Sequence, residues 1–195
     1  MRIGIFGGSF NPVHEGHLAL ARFAYSELNL EKLYFVPSYE TPLKVKKELL
    51  PADFRLKLLK KAIKACPEFS ISTCEMDRQG KSYTIDTLRY FQKKSGKNAK
   101  IFFLTGMDSL ENLSRWKSVD QIFKLCRFVV ATRPGYAPQH TKFPVLWMPF
   151  EALDVSSRRI RRHIEARESI KGLVPQGIIK DLSRKGDPTS TRRKR

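Results

Sequence analysis

The chain has 195 residues, 41% hydrophobic and 11% aromatic, which suits one ordinary domain with a substantial core. No apolar run approaches the roughly 20 residues of a membrane helix, the start MRIGIFGG carries no secretory leader, and three cysteines without a CxxC pair exclude a disulfide framework and a structural zinc site, so a cytoplasmic setting is expected. Lys and Arg outnumber Asp and Glu, 37 to 19, giving +18 overall, with a net +5 falling between Lys180 and Arg195. That excess favours anionic partners, whether nucleotides, polyphosphates, nucleic acid or acidic membrane surfaces, and does not choose among them.

Taken in order, residues 2–6 (RIGIF) predict a short buried strand. The loop GGSFNPVH follows, and residues 15–28 predict a helix with Leu18, Ala21, Phe23, Ala24 and Leu28 apolar. KLYFVPS (32–38) predicts a second strand ended by Pro37, and TPLKVKKELLP (41–51) a basic loop. Pro51 opens a helix to about Ala65, with Phe54, Leu58, Ala62 and Ile63 on one side. FSISTCEM (69–76) alternates like a strand, and residues 82–96 predict a helix stopped by Gly96. KIFFLTG (100–106) is a strand, followed by two short helices, MDSLENLSRW and SVDQIFKLC. RFVVATRPG (127–135) and VLWMPF (145–150) are strands, and 156–166 and 175–185 are helices. The last ten residues, 186–195, form a basic tail without an apolar face, expected to be disordered. Buried thiols are the expected state of Cys66 and Cys74.

Strands alternating with helices predict an α/β fold: a mainly parallel sheet covered by helices on both faces. Such sheets bind ligands beyond the carboxyl ends of their strands. The loops after the first, second, fourth and fifth strands should therefore share one edge.

The first of these loops has the chemistry of an anion cradle. Gly7 and Gly8 let backbone N–H groups approach a phosphate with no Cβ in the way. The following helix turns its unpaired N–H groups and positive dipole end to the same anion. His14 and His17, three apart, share a face of its first turn with Gly16 between them, and imidazoles there can donate to phosphoryl oxygens. Two surface histidines on an ordinary turn is the plainer alternative. There is no GxGxxG and no GxxxxGK[ST].

GGSFNPVHEGH resembles the HxGH motif of the nucleotidyltransferase superfamily, whose Rossmann-like, doubly wound α/β members transfer a nucleotidyl group and release pyrophosphate. DVSSRRIRRHI (154–164) is similar to its second element, an ISSTxIR-like segment. GKSYTIDTL (80–88), LTGMDSLENLSRW (104–116) and VVATRPG (129–135) resemble the nicotinate-nucleotide adenylyltransferases of bacterial NAD synthesis. The likeness spans about Met1 to Leu182, leaving one nucleotidyltransferase domain, 1–185, and the tail.

The resemblance implies adenylyl transfer from ATP to nicotinate mononucleotide, giving deamido-NAD and pyrophosphate, with Mg²⁺ carried mainly by the ATP phosphates. His14, His17, Lys44 and Arg161 are the implied catalytic residues. Gly7, Gly8, Ser9, Phe10, His17, Gly106, Asp108, Arg133, Ser156, Ser157 and Arg161 are implied to meet ATP. Phe10, His14, Lys44, Ser82, Tyr83, Thr84 and Trp116 are implied to meet the mononucleotide, with Tyr83 and Trp116 as aromatic walls. Without the resemblance, Ser82, Tyr83 and Thr84 read as helix-capping residues, Trp116 as core and Asp108 as a helix cap. Two positions depart from the family pattern: Leu43 stands where a His is common, and Arg158 replaces the usual Thr. A sibling enzyme acting on nicotinamide mononucleotide or another phosphomonoester is the alternative within the class. A basic nucleic-acid-binding protein, motivated by the charge, is the alternative outside it.

Overall fold

A computed structural model describes residues 1–42, 49–96, 98–132 and 141–185. Six strands make one sheet: β1 (Arg2–Gly8), β2 (Lys32–Pro37), β3 (Phe69–Ile71), β4 (Lys100–Gly106), β5 (Arg127–Thr132) and β6 (Val145–Pro149). Their order is β3-β2-β1-β4-β5-β6, and every pairing is parallel. The helices are α1 (Glu15–Glu27), α2 (Ala52–Ala62), α3 (Cys74–Arg78), α4 (Thr84–Ser95), α5 (Val119–Leu125), α6 (Ser157–Glu165) and α7 (Gln176–Lys185), with a 3-10 helix at Met107–Arg115.

Period-two alternation sends the strand residues to opposite faces. Phe6, Phe35, Phe102 and Val129 join Leu18, Ala21, Leu58, Ile160 and Ile178 on one side. Ile5, Val36, Phe103 and Val130 join Ile85, Leu88, Phe91 and Ile122 on the other. The sheet is thus buried on both faces, which is why its strands read as continuous apolar runs rather than alternating ones. Strand order reverses between β1 and β4, so the ends of these strands, Gly8 and Gly106, flank the crevice where such sheets bind ligands.

Three predicted elements need correction. The expected strand 69–76 pairs only over Phe69–Ile71, because Cys74–Arg78 turns into helix α3 and buries Cys74 and Glu75. Alternation over so short a span does not separate a strand from a strand followed by one helical turn. The helix from Pro51 ends at Ala62 rather than about Ala65; its expected stripe does face the core, with Leu58 and Ile63 buried and Phe54 and Ala62 packed against them, and Arg55 and Leu59 are buried beside it. The segment 107–115 is a 3-10 helix. Phe23, expected on the apolar face of α1, is 36% exposed. Cys66 and Cys74 are buried free thiols. The tail 186–195 lies outside the described residues.

Candidate active site

The first strand runs two residues further than expected: Gly7 and Gly8 are its last residues, paired with Val36 and Pro37 rather than opening the loop, and both lie against aromatic rings. A Cβ on Gly7 would sit 3.1 Å from Phe103 Cζ, and one on Gly8 3.2 Å from Phe10 Cζ. A side chain at either position would press on its ring, so glycine at the end of β1 leaves room for Phe103 and Phe10. Phe10 is fully buried and holds φ at 42°, in the left-handed region. For a non-glycine residue that costs about 1–2 kcal/mol. Its ring meets Phe6 and Phe35 at 5.5 Å and His17 at 5.1 Å between centroids, and burying a Phe side chain stabilises by about 1.5–3 kcal/mol, enough to offset the strain.

His14 and His17 meet at the mouth of α1. Their rings stack with centroids 3.6 Å apart and planes 26° from parallel. The His14 backbone N–H donates to His17 Nδ1 at 3.2 Å. With Nδ1 accepting, the neutral His17 ring carries its proton on Nε2. His14 is buried, and that burial pushes its pKa down to about 4. It is therefore a neutral imidazole near pH 7, with its Nδ1 buried at the start of α1. Gly16, between the two histidines, sits at a close packing contact. A Cβ there would lie 3.0 Å from Val155 Cγ1 and 3.2 Å from His14 Nδ1, so glycine lets the lead-in to α6 close against the histidine turn.

The start of α6 is tied to this loop across 145 residues of chain. Ser157 Oγ donates to the Pro12 carbonyl at 2.9 Å, and Arg161 Nη1 donates to the Asn11 carbonyl at 2.9 Å. Ser156 is the N-cap of α6, its hydroxyl oxygen accepting from the Arg159 N–H at 3.2 Å. Ser157 and Arg161 thus spend donors on the loop backbone, which brings Arg161 to the same mouth as His14 and His17. Arg158 follows the cap on an exposed face of α6.

The second candidate subsite lies across the crevice. Ser82 does not cap α4 with its side chain: Tyr83 is the N-cap residue, without a side-chain capping bond. Instead Ser82 Oγ accepts from the Tyr39 N–H at 3.0 Å, and Ser82 N–H donates to the Glu40 carbonyl at 2.8 Å. The turn before α4 is thereby hung on the loop after β2. Buried Glu75 accepts from Thr87 Oγ1 at 2.5 Å. Burial pushes its pKa up, while hydrogen bonds from Thr87 and Ser82 oppose that rise. Trp116 is half-buried and meets the Phe103 ring at 6.1 Å and Phe128 at 5.7 Å, both edge to face. Lys117 Nζ lies 4.7 Å over the Tyr83 ring and 3.8 Å from Asp86, which links the Trp116 segment to the turn before α4. Gly106 and Asp108 are exposed at the end of β4, with Gly106 as the N-cap of the 3-10 helix. Lys44 and Leu43 in the loop after β2, and Arg133 after β5, lie outside the described residues.

The sequence reading missed Arg55, a fully buried cation on α2. It sits at the spacing of Leu58 and Leu59, so a helical wheel places it on the apolar stripe. A charge on that stripe is the signal that marks it.

A doubly wound parallel sheet with a glycine bend and a helix start at its switch point defines a nucleotide-binding α/β protein. Residues 5–163 match the cytidylyltransferase-like family. The probable nicotinate-nucleotide adenylyltransferase of Clostridium novyi is 39% identical over 184 residues, covering 89% of this chain and 92% of the relative. That of Clostridium acetobutylicum is 38% identical over 185 residues, covering 89% and 92%. The Plasmodium falciparum nicotinic acid mononucleotide adenylyltransferase solved in complex with NaAD superimposes with a TM-score of 0.73 at 20% identity, covering 93% of each chain. The chain belongs to the cytidylyltransferase-like family and stands within it among the nicotinate-nucleotide adenylyltransferases.

Proposed function

We propose that this protein transfers the adenylyl group of ATP to nicotinate mononucleotide, giving nicotinate adenine dinucleotide and pyrophosphate. The observation that carries this reading is the convergence of the stacked His14–His17 pair, the glycine bend and the start of α6 at the crevice between β1 and β4.

A phosphate oxygen of the mononucleotide attacks the α-phosphorus of ATP. The new P–O bond forms as the bond from that phosphorus to the bridging oxygen breaks, and the electron pair leaves with pyrophosphate. The attacking phosphate is already ionised near neutrality, its second pKa being about 6, so no protein base has to remove a proton. What the site must supply is position and charge stabilisation. His17 Nε2–H and the N–H groups of the bend and of the α1 start donate to phosphate oxygens, with Arg161 and Lys44 as the cations. Tyr83 and Trp116 flank the pyridine ring. The mouth presents imidazoles, amides and hydroxyls, and among the described residues no cluster of three or more His, Cys, Asp and Glu side chains could hold a metal ion. Mg²⁺ prefers oxygen ligands, so this donor set fits an ion carried by the phosphates, where it would neutralise their charge.

No helix among the described residues is long and apolar enough to cross a membrane. The test is pyrophosphate release by the purified protein with ATP and each mononucleotide in turn. Turnover with nicotinate mononucleotide is expected. Turnover with nicotinamide mononucleotide alone would overturn the substrate assignment. His17→Ala should lower turnover by about 10²-fold or more, the loss seen when a single transition-state donor is removed. Wild-type turnover in that variant would take His17 out of the mechanism.

A further inference from the structure

We propose that Arg55 is a positioning residue, one guanidinium that fixes the spacing between the triphosphate side and the pyridine side of the site. This rests on the reaction proposed above. The geometry is a three-way clasp. Arg55 Nη1 donates to the Ser9 carbonyl at 2.7 Å, Nη2 to the Tyr39 carbonyl at 3.0 Å and Nε to the Leu50 carbonyl at 3.0 Å. Ser9 belongs to the bend after β1. Tyr39 and Leu50 are the two feet of the segment that carries Lys44 in the sequence. Leu50 N–H is itself held by Asn11 Oδ1 at 2.8 Å, which returns the far foot to the same bend.

Tyr39 carries the connection onward. Its carbonyl takes the Arg55 bond, and its N–H donates to Ser82 Oγ in the turn before α4. One chain of hydrogen bonds therefore runs from the phosphate bend, through Arg55 and Tyr39, to Ser82 beside Tyr83. The core alone does not require this. A cation so buried suffers a desolvation cost, seen in a pKa pushed down by burial, that a leucine at the same place would not. Three carbonyls, one on the loop after β1 and two at the ends of the loop after β2, need donors in fixed directions, which a planar guanidinium supplies and an ammonium does not.

In-line transfer depends on the separation of the two bound substrates, and a misplacement of about 1 Å can cost about 10²-fold in rate. Each subsite, by contrast, has its own local contacts. Loss of the clasp should therefore lower kcat more than it weakens either substrate bound alone. The experiment compares wild type, Arg55→Lys and Arg55→Ala at a temperature below the melting transition of each. It measures kcat, the Kd of each substrate alone by calorimetry, and amide hydrogen exchange. Expected is a fall in kcat of about 30-fold or more, single-substrate Kd values within about threefold of wild type, and partial recovery of Arg55→Ala turnover by added guanidinium. Exchange should quicken at residues 9–11, 38–41 and 82, and not along α7.

Wild-type kcat in folded Arg55→Lys and Arg55→Ala would overturn the proposal. So would a loss of rate that tracks the unfolded fraction and ignores guanidinium. Unchanged exchange at both loops would refute the clasp whatever the reaction is. A wild-type protein that turns over neither mononucleotide, with exchange altered as described, would refute the reaction instead.

Discussion

Helix α2 carries two polar networks, and they differ in kind. At its inner end Arg55 is sealed from water and donates to three backbone carbonyls on two loops. On its outer face Lys57 and Lys61 clasp Asp181 of α7 at 2.7 Å and 2.5 Å, with both lysines about half exposed at 54% and 45%. The outer contacts are as short as the inner ones. Yet an exposed ion pair is worth roughly 0–1 kcal/mol, because water and salt compete for both partners. A buried carbonyl that loses its donor costs about 1–3 kcal/mol, because nothing replaces it. Distance therefore ranks these networks poorly, and burial ranks them well.

The contrast can be broken at several points. The largest effect is expected at Arg55. Replacing it by Met keeps the volume of the stem and strands up to three carbonyls, so unfolding free energy should fall by about 3 kcal/mol or more in a urea titration. A loss below about 1 kcal/mol would mean that water reaches the clasp.

His14 comes next, since it is a second sealed polar group at the same mouth. Its folded pKa of about 4 lies below the ordinary value of 6.5. As pH falls below 6.5 the unfolded chain takes up the proton and the folded chain does not, until about pH 4. Stability should therefore decline across that window by about 1.4 kcal/mol per pH unit more than in His14→Gln. Parallel pH profiles for the two proteins would place His14 in contact with solvent.

The smallest effect is expected at Asp181→Asn, a loss of under about 1 kcal/mol that shrinks in 1 M salt. The hydrogen bonds from Lys57 and Lys61 hold the Asp181 carboxyl below its ordinary range. Their contribution is accordingly present at neutral pH and disappears only in acid, as that carboxyl protonates. A salt-independent loss as large as that of Arg55→Met would erase the distinction between the two ends of α2.

Some of the site was readable before any tertiary contact was known. Gly7-Gly8 and His14-x-x-His17 lie within eleven residues, so local chain geometry alone brings bend and imidazoles to one helix mouth. Pairing with the SSRRIR segment could be anticipated only by resemblance, because the bonds from Ser157 to Pro12 and from Arg161 to Asn11 span the chain. The cap that local sequence offers at Ser82 is not what its hydroxyl forms, since its partner Tyr39 is 43 residues away. Helix α3 was misread because a five-residue helix is too short to show a period.

By itself the sequence determined the alternation of strands and helices, the parallel sheet that follows from it, and the glycine–histidine mouth. These depend on spacings of two to four residues, which hydrophobic periodicity and helix geometry translate directly. Only the tertiary structure decided which donors meet which carbonyls: Arg55 on Ser9, Tyr39 and Leu50, and Tyr39 on Ser82. A buried polar group takes the partner that folding delivers to it, and that partner is set by the packing of distant segments rather than by its neighbours in the chain.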